Sequence, residues 1–305
     1  MSVTMKRYLS YVLLMFCCFS VYGQSMQEQG KSWTFAFYGD DSSENFQWSI
    51  AGNSNGQNPD VLSEVIWTKL KGAGVGLDVD LNIWSHIFFK GSYHKAFIRS
   101  GTATDHDYAA DNRTQPTYAA FLKSNEGHTS RYSIALAYEL KLHELFTVMP
   151  YAGYANNRQV LSLKNFEEDK GGKQLNSSYQ TDWNGPLAGI DLQVARLRRI
   201  SLNAGFSYQQ LRYTGLADWN LIDAFNHPLS FKHTARGFES QVLLRLNFNI
   251  NSFCAVYLRG EYRYAETGKG IDQLFLADGQ ERESRFNGAL RKVKGIGAGI
   301  IFSIR

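Results

Sequence analysis

Two aspartates in the stretch SGTATDHDYAADN, Asp105 and Asp107, stand two residues apart, and on an extended chain that spacing turns both carboxylates to one side. Such a pair suits three kinds of chemistry. It can belong to a catalytic site if a base is supplied from elsewhere. With Asp111 it can offer oxygens to Ca²⁺, although the Gly and terminal Glu of an EF-hand loop are missing. It can also be an ordinary solvated pair, neutralised by Arg113. Carboxylate pairs are common in exposed loops and establish nothing without a partner base. His106 points to the opposite side, and no His/Cys grouping has zinc spacing. No metal and no cofactor is expected.

The elements that must position this pair begin after a leader. Lys6 and Arg7 precede an uncharged apolar run from Tyr8 to Tyr22, with small residues up to Gly23. The run is short for a membrane helix and has the layout of a signal peptide over residues 1–23. Residues 24–305 are then a single domain. Removing the leader lowers the formal charge from +4 to +2, too little to suggest nucleic acid. It also leaves Cys254 alone, which excludes a disulfide framework within one molecule.

Period-2 alternation dominates the remainder. In QVLLRLNFNI, Val242, Leu244, Leu246, Phe248 and Ile250 share one face and Gln241, Arg245, Asn247 and Asn249 the other, with Leu243 the exception. Val75, Leu77 and Val79 oppose Asp78 and Asp80; Ile134 and Leu136 oppose Ser133; Val256, Leu258 and Tyr262 oppose Arg259, Glu261 and Arg263. The pattern predicts ten strands near 33–50, 60–84, 86–100, 129–143, 146–164, 178–196, 199–216, 231–250, 252–268 and 288–305. Short connections at Trp84-Ser85, Glu144-Leu145, Leu197-Arg198 and Asn251-Ser252 alternate with long polar ones at 101–128, 165–177, 217–230 and 269–287. Charges in mid-strand, short turns at one end and long loops at the other are the signature of an all-β, closed antiparallel transmembrane barrel in a bacterial outer membrane, its long loops extracellular.

The order of motifs is similar to that of the omptin outer-membrane endopeptidases: VLSEVIW, DHDY, PYAGYANNR, SYQTDWNGPLAGIDL and ADWN. The longer phrases DHDYAADNRT, LADWNLIDAFNHPLSFKHTA and GIDQLFLADG resemble the omptin-shaped Protochlamydia outer membrane protein family more closely. The omptin resemblance implies a rim site in which an Asp pair holds a water and an Asp-His pair activates it. Asp105 and Asp107 match the first pair and Asp218 the acid of the second, but Asn220 stands where the His is expected. An imidazole accepts a proton near pH 7 and an amide does not. His227 is the nearest substitute, at the wrong spacing. Tyr154 and Arg158 match positions of the lipopolysaccharide-binding patch of omptins, and Arg236 lies near another; Asn156 replaces a glutamate and Asp182 an arginine. Outer-membrane lipid, lipopolysaccharide included, and an extracellular protein or peptide are the expected partners.

Three functions are compatible with these residues. The leading one is a barrel without protease activity that presents its loops for interaction or envelope integrity; the others are an omptin-type endopeptidase and a narrow channel. The inward charges suit a self-neutralising plug better than a pore, because ten strands make a barrel only slightly wider than the eight-stranded type that side chains fill.

Overall fold

The computed structural model describes residues 32–304 except 144–145, 168–171 and 198. The leader expected over residues 1–23 lies outside the described residues. Among the described residues thirteen strands follow one another: β1 (Trp33–Ile50), β2 (Ser63–Trp84), β3 (Ile87–Ala110), β4 (Thr114–Lys123), β5 (Gly127–Tyr138), β6 (Leu140–His143), β7 (Phe146–Leu163), β8 (Ser177–Leu197), β9 (Ile200–Asp218), β10 (Phe231–Asn249), β11 (Cys254–Thr267), β12 (Gly270–Phe275) and β13 (Glu281–Ile304). Ten of them close a ring in the order β1-β2-β3-β5-β7-β8-β9-β10-β11-β13, with β13 pairing back onto β1 from Trp33↔Ile304 to Ile50↔Phe286. β6 continues the ring strand begun by β5, against β7.

The pleat sends apolar residues outward over one stretch of every ring strand, with Val75, Ile134, Leu244 and Ile296 all exposed. Lipid is the medium that makes this arrangement favourable, and closure of the ring pairs the backbone groups that lipid cannot. Leu243, the exception in the alternation, points inward and lines the lumen.

Above that belt, toward the long-loop end, the polarity inverts. Along β1 the outward residues change from Trp33 and Phe37 to Asp41, Ser43, Asn45 and Gln47, while the inward ones change from Tyr38, Asp40 and Glu44 to Phe46 and Trp48. The ring thus encloses an apolar core of Phe46, Trp48, Trp67, Tyr179, Trp183 and Phe286, among others.

Two of the expected loops are strands. β3 runs on past residue 100 to Ala110, β4 returns beside it, and together they form an arm that pairs with β2 as far as Ser63↔Asp107. Likewise β12 and the start of β13 occupy much of 269–287. Apolar alternation ends where the lipid belt ends, but backbone hydrogen bonding continues into water as long as a neighbouring strand is present. At the foot of the arm the chain re-enters the ring through Gly127, at φ 125°. A Cβ there would lie 2.0 Å from the Val160 carbonyl oxygen, so only glycine fits.

Candidate site at the long-loop rim

Asp105 and Asp107 lie on the arm as strand residues, opposite Val65 and Ser63 of β2. Their inward aim has a local cause. The register of β2 against β3 slips between Thr68 and Gly72, and the inward face of β3 changes from His94 and Ala96 below the slip to Ala103 and Asp105 above it. A bulge of this kind re-aims every later side chain. Asp105 is buried, 8 % exposed, and that burial, reinforced by the charge of Asp107 and opposed by a hydrogen bond from the Trp219 side chain, pushes its pKa up to about 7. Burial also raises Asp107, against a hydrogen bond with Ser63 and the nearby His106. The charge of Asp107 thus acts on Asp105, while Asp107 itself meets Ser63 and His106.

Arg113 does not neutralise them. It pairs with Glu64 at 2.9 Å, and Tyr108 donates to the same carboxylate at 3.0 Å. Asp111 accepts from the Asp60 backbone N–H at 2.8 Å, so its carboxylate serves the arm's tip. Among the described residues no group of His, Cys, Asp and Glu is arranged to hold a metal. His106 stacks beside Tyr108 with ring centroids 6.2 Å apart.

Asp218 ends β9, and Trp219 just beyond it is the residue whose side chain reaches Asp105. Trp219 packs on Phe231 at 4.8 Å and Trp48 at 6.3 Å between centroids, which fixes it over the aromatic core. The tryptophan thus joins the two walls that carry Asp105 and Asp218. Asn220 faces elsewhere. Its Oδ1 accepts from the Asn176 backbone N–H at 2.9 Å and from Ser177 Oγ at 3.2 Å, and its Nδ2 donates to the Gln174 carbonyl at 2.9 Å. This side chain is a clamp between two loops.

His227 is brought to Asp218 despite its spacing, Nδ1 lying 2.6 Å from Oδ1. The segment 219–230 folds back through turns, with Ile222 N–H donating to Trp219 and Phe225 N–H to Ile222, which closes the gap that the sequence distance suggested. Its Nε2 lies 3.3 Å from the Ile222 carbonyl. Both ring nitrogens therefore face protein oxygens.

A further group was invisible in the sequence. His233 is fully buried, with Nδ1 2.6 Å from Tyr179 Oη, which is 2.7 Å from Tyr213 Oη. Asp272 approaches His233 Nε2 at 3.1 Å without hydrogen-bond alignment and accepts from Ser284 at 2.9 Å. Burial lowers the His233 pKa against the pull of Asp272 and raises that of Tyr179, and the row ties three strands together inside the core. The signal, HTA after FK on an inward parity, looks like any strand residue until β12 is known to lie beside it.

Below the core the lumen is filled by ion pairs. Lys90 Nζ lies 2.7 Å from Asp80 and 3.1 Å from Asp191, Arg245 lies 3.2 Å from Asp78, and Arg259 2.8 Å from Glu261. They leave a cavity of about 110 Å³. On the outer surface Arg158 is held by Asp182 at 3.0 Å and Tyr154 donates to Asn184 at 3.1 Å, while Arg236 is exposed on β10 opposite Arg212. These three are thus on one outward face, with Arg158 already neutralised.

Among solved structures, the outer membrane protease OmpT from Escherichia coli is similar at a TM-score of 0.71 with 12% identity, covering 93% of this chain and 100% of that one. The translocator domain of the autotransporter NalP from Neisseria meningitidis aligns over 97% of this chain and 95% of that one, at 9% identity and a TM-score of 0.36. At such identity the OmpT likeness carries the fold and leaves the chemistry open. No curated protein matches in sequence. A family model described as Protochlamydia outer membrane protein matches residues 38–304, nearly the whole barrel, and the chain therefore belongs to the Protochlamydia outer membrane protein family, whose member here is an outer-membrane β-barrel of omptin-like fold.

Proposed function

We propose that this protein is an outer-membrane barrel without protease activity, which presents its long-loop end outside the cell for interaction or envelope integrity. The observation that carries this reading is the fate of Asn220. The position where an omptin-like site would need its base holds an amide with no basicity near pH 7, and that amide is consumed by three hydrogen bonds to the loop 174–177. Asp105, buried beneath Trp219, supports the same conclusion. A peptide carbonyl would have to displace that indole from the aromatic core to reach it.

The contact between Asp218 and His227 at 2.6 Å favours the alternative, an endopeptidase with a relocated base. Purified protein incubated with peptides containing paired basic residues separates the two. Negligible cleavage is expected. Robust cleavage that disappears in Asp105→Asn, Asp218→Asn and His227→Gln would establish the endopeptidase. The channel reading is opposed by the ion pairs and the core above them, and stable single-sized conductance steps in a planar bilayer would revive it. Orientation is tested by epitope tags. One at Gly279, in a turn with open space around it, should be reached by antibody on intact cells, and one at Ser252 should not.

A further inference from the structure

Two outward-facing basic groups flank the belt on its long-loop side, and they differ in what neutralises them. On β7 and β8, Arg158 is spent on Asp182. On the face made by β13, β1, β2 and β3, Lys294, Lys71 and Arg99 are all exposed, and none of the three makes an ion pair among the described residues.

Their placement follows from register. Ser43 of β1 stands opposite Lys294 on one side and Lys71 on the other, and Lys71 stands opposite Ser100, next to Arg99. Each basic residue lies one pleat beyond the last outward apolar residue or small spacer of its strand: Lys294 after Ile296, Lys71 after Ala73 and Val75, Arg99 after Phe97. Those apolar residues are bare, with Ile296 71%, Val75 64% and Phe97 55% exposed. The three cations, Ser43 and Ile296 line one concavity of about 410 Å³. Asp41 is the acid in its wall, which leaves an excess of two positive charges, and Lys292 extends the row one pleat further.

We propose that Lys71, Arg99 and Lys294 form a site for the phosphate-bearing headgroup of an outer-leaflet lipid whose acyl chains lie on Phe97, Val75 and Ile296. Charge complementarity and continuity with the belt select this occupant. A free phosphate would have no use for Ile296 in the wall, and a soluble protein would have to strip lipid from the belt to reach the same cations. Basic residues beside an anionic lipid surface attract it additively, and three without internal partners lose nothing in turning to it. The assignment to the outer leaflet rests on the orientation given above.

Native mass spectrometry of the detergent-purified barrel tests the site with bisphosphorylated lipid A, its dephosphorylated counterpart and inorganic phosphate as probes. The bisphosphorylated lipid is expected to bind, the dephosphorylated lipid to bind far more weakly, and phosphate not to compete. K71Q/R99Q/K294Q should weaken binding on the order of a hundredfold, while R158Q/R236Q on the opposite face should change it less than threefold. Heat-modifiable mobility of each variant reports whether the barrel has folded. Unchanged binding in the folded triple variant, loss in R158Q/R236Q instead, or competition by inorganic phosphate would each overturn the proposal. The tags at Gly279 and Ser252 separate the two failures. If orientation is reversed but the triple variant still loses lipid, the site stands and the leaflet assigned to it is overturned.

Discussion

The two halves of the barrel interior are built on opposite principles from the same strands. At the level of the belt the lumen holds Lys90, Asp80, Asp191, Arg245, Asp78, Arg259 and Glu261 in contact with one another, while the outside is apolar. Toward the long loops the inside is aromatic and the outside polar. The surrounding medium decides which face of a strand must be apolar, and a strand long enough to leave the lipid changes its pattern on the way. β1 does so around residues 41–46 with no break in its pairing to β13. The rim site stands on the second half, a packed core, and this is why its residues are held by loops and rings rather than left open around a cleft.

If that contrast is correct, the aromatic half should respond to truncation as a soluble core does. Trp183 is fully buried, packs on Tyr213 at 4.5 Å and donates from Nε1 to Gln159 at 3.0 Å. Gln159 in turn donates to Glu44, the partner of Arg291. Trp183→Ala should cost about 3–5 kcal/mol in a urea titration, and hydrogen exchange should rise in β8, β9 and β13 above the belt while the belt segments stay protected. Equal loss of protection at both levels would show that the halves are one cooperative unit and would break the comparison.

The outward faces give the next largest contrast. Leu244 faces lipid, and Leu244→Arg should cost about 2–4 kcal/mol, seen as poor assembly into heat-modifiable barrel. Gln47 faces outward above the belt, and Gln47→Arg should fall within about 0.5 kcal/mol of wild type. Similar assembly defects in both would mean that the lipid boundary on β1 is drawn too low.

The belt half was legible in sequence because lipid enforces strict alternation there. Residues such as Val242, Leu244 and Leu246 mark strands, and charges in mid-strand with unequal connections turn ten such strands into a barrel. The arm was not legible. Above the belt the rule changes, and with Ala103 and Asp105 inward beside polar neighbours, strand and loop have the same composition. Spacing singles out Asp105 and Asp107, and the ADWN motif Asp218, as candidates. The tie of Asn220 to residues 174–177, the return of His227 to Asp218 and the bridge from Trp219 to Asp105 all depend on how separate loops fold over one another, which period and spacing do not encode. His227 shows the limit most plainly, since its nine-residue separation from Asp218 hides a 2.6 Å contact.

The finest test addresses the junction of the two walls through Asp105. Its pKa in the folded protein, about 7, is raised from 3.8 mainly by burial, and next by Asp107. The folded arm therefore holds a proton that the detached arm releases, and the resulting stability is full below the ordinary carboxylate pKa and is lost as pH rises through about 7. Between pH 6 and pH 8 the loss is about 1.4 kcal/mol, one tenfold step in the opening equilibrium. Asp107, raised in the same direction, steepens this trend, whereas the pair of Asp218 with His227 lies on the other wall. Hydrogen exchange of the arm amides between 101 and 123, followed from pH 6 to pH 8 after correction for the intrinsic rate, should show the opening and Trp219 fluorescence should shift with it. Asp105→Asn keeps an acceptor for the Trp219 side chain but cannot ionise, so it should flatten most of the dependence and leave the arm more protected than wild type at pH 8. A dependence that survives unchanged in Asp105→Asn would place the titration elsewhere. An arm that tightens as pH rises would mean that Asp105 is charged in its buried seat, and the rim would then be an open carboxylate site of the kind that hydrolytic chemistry requires.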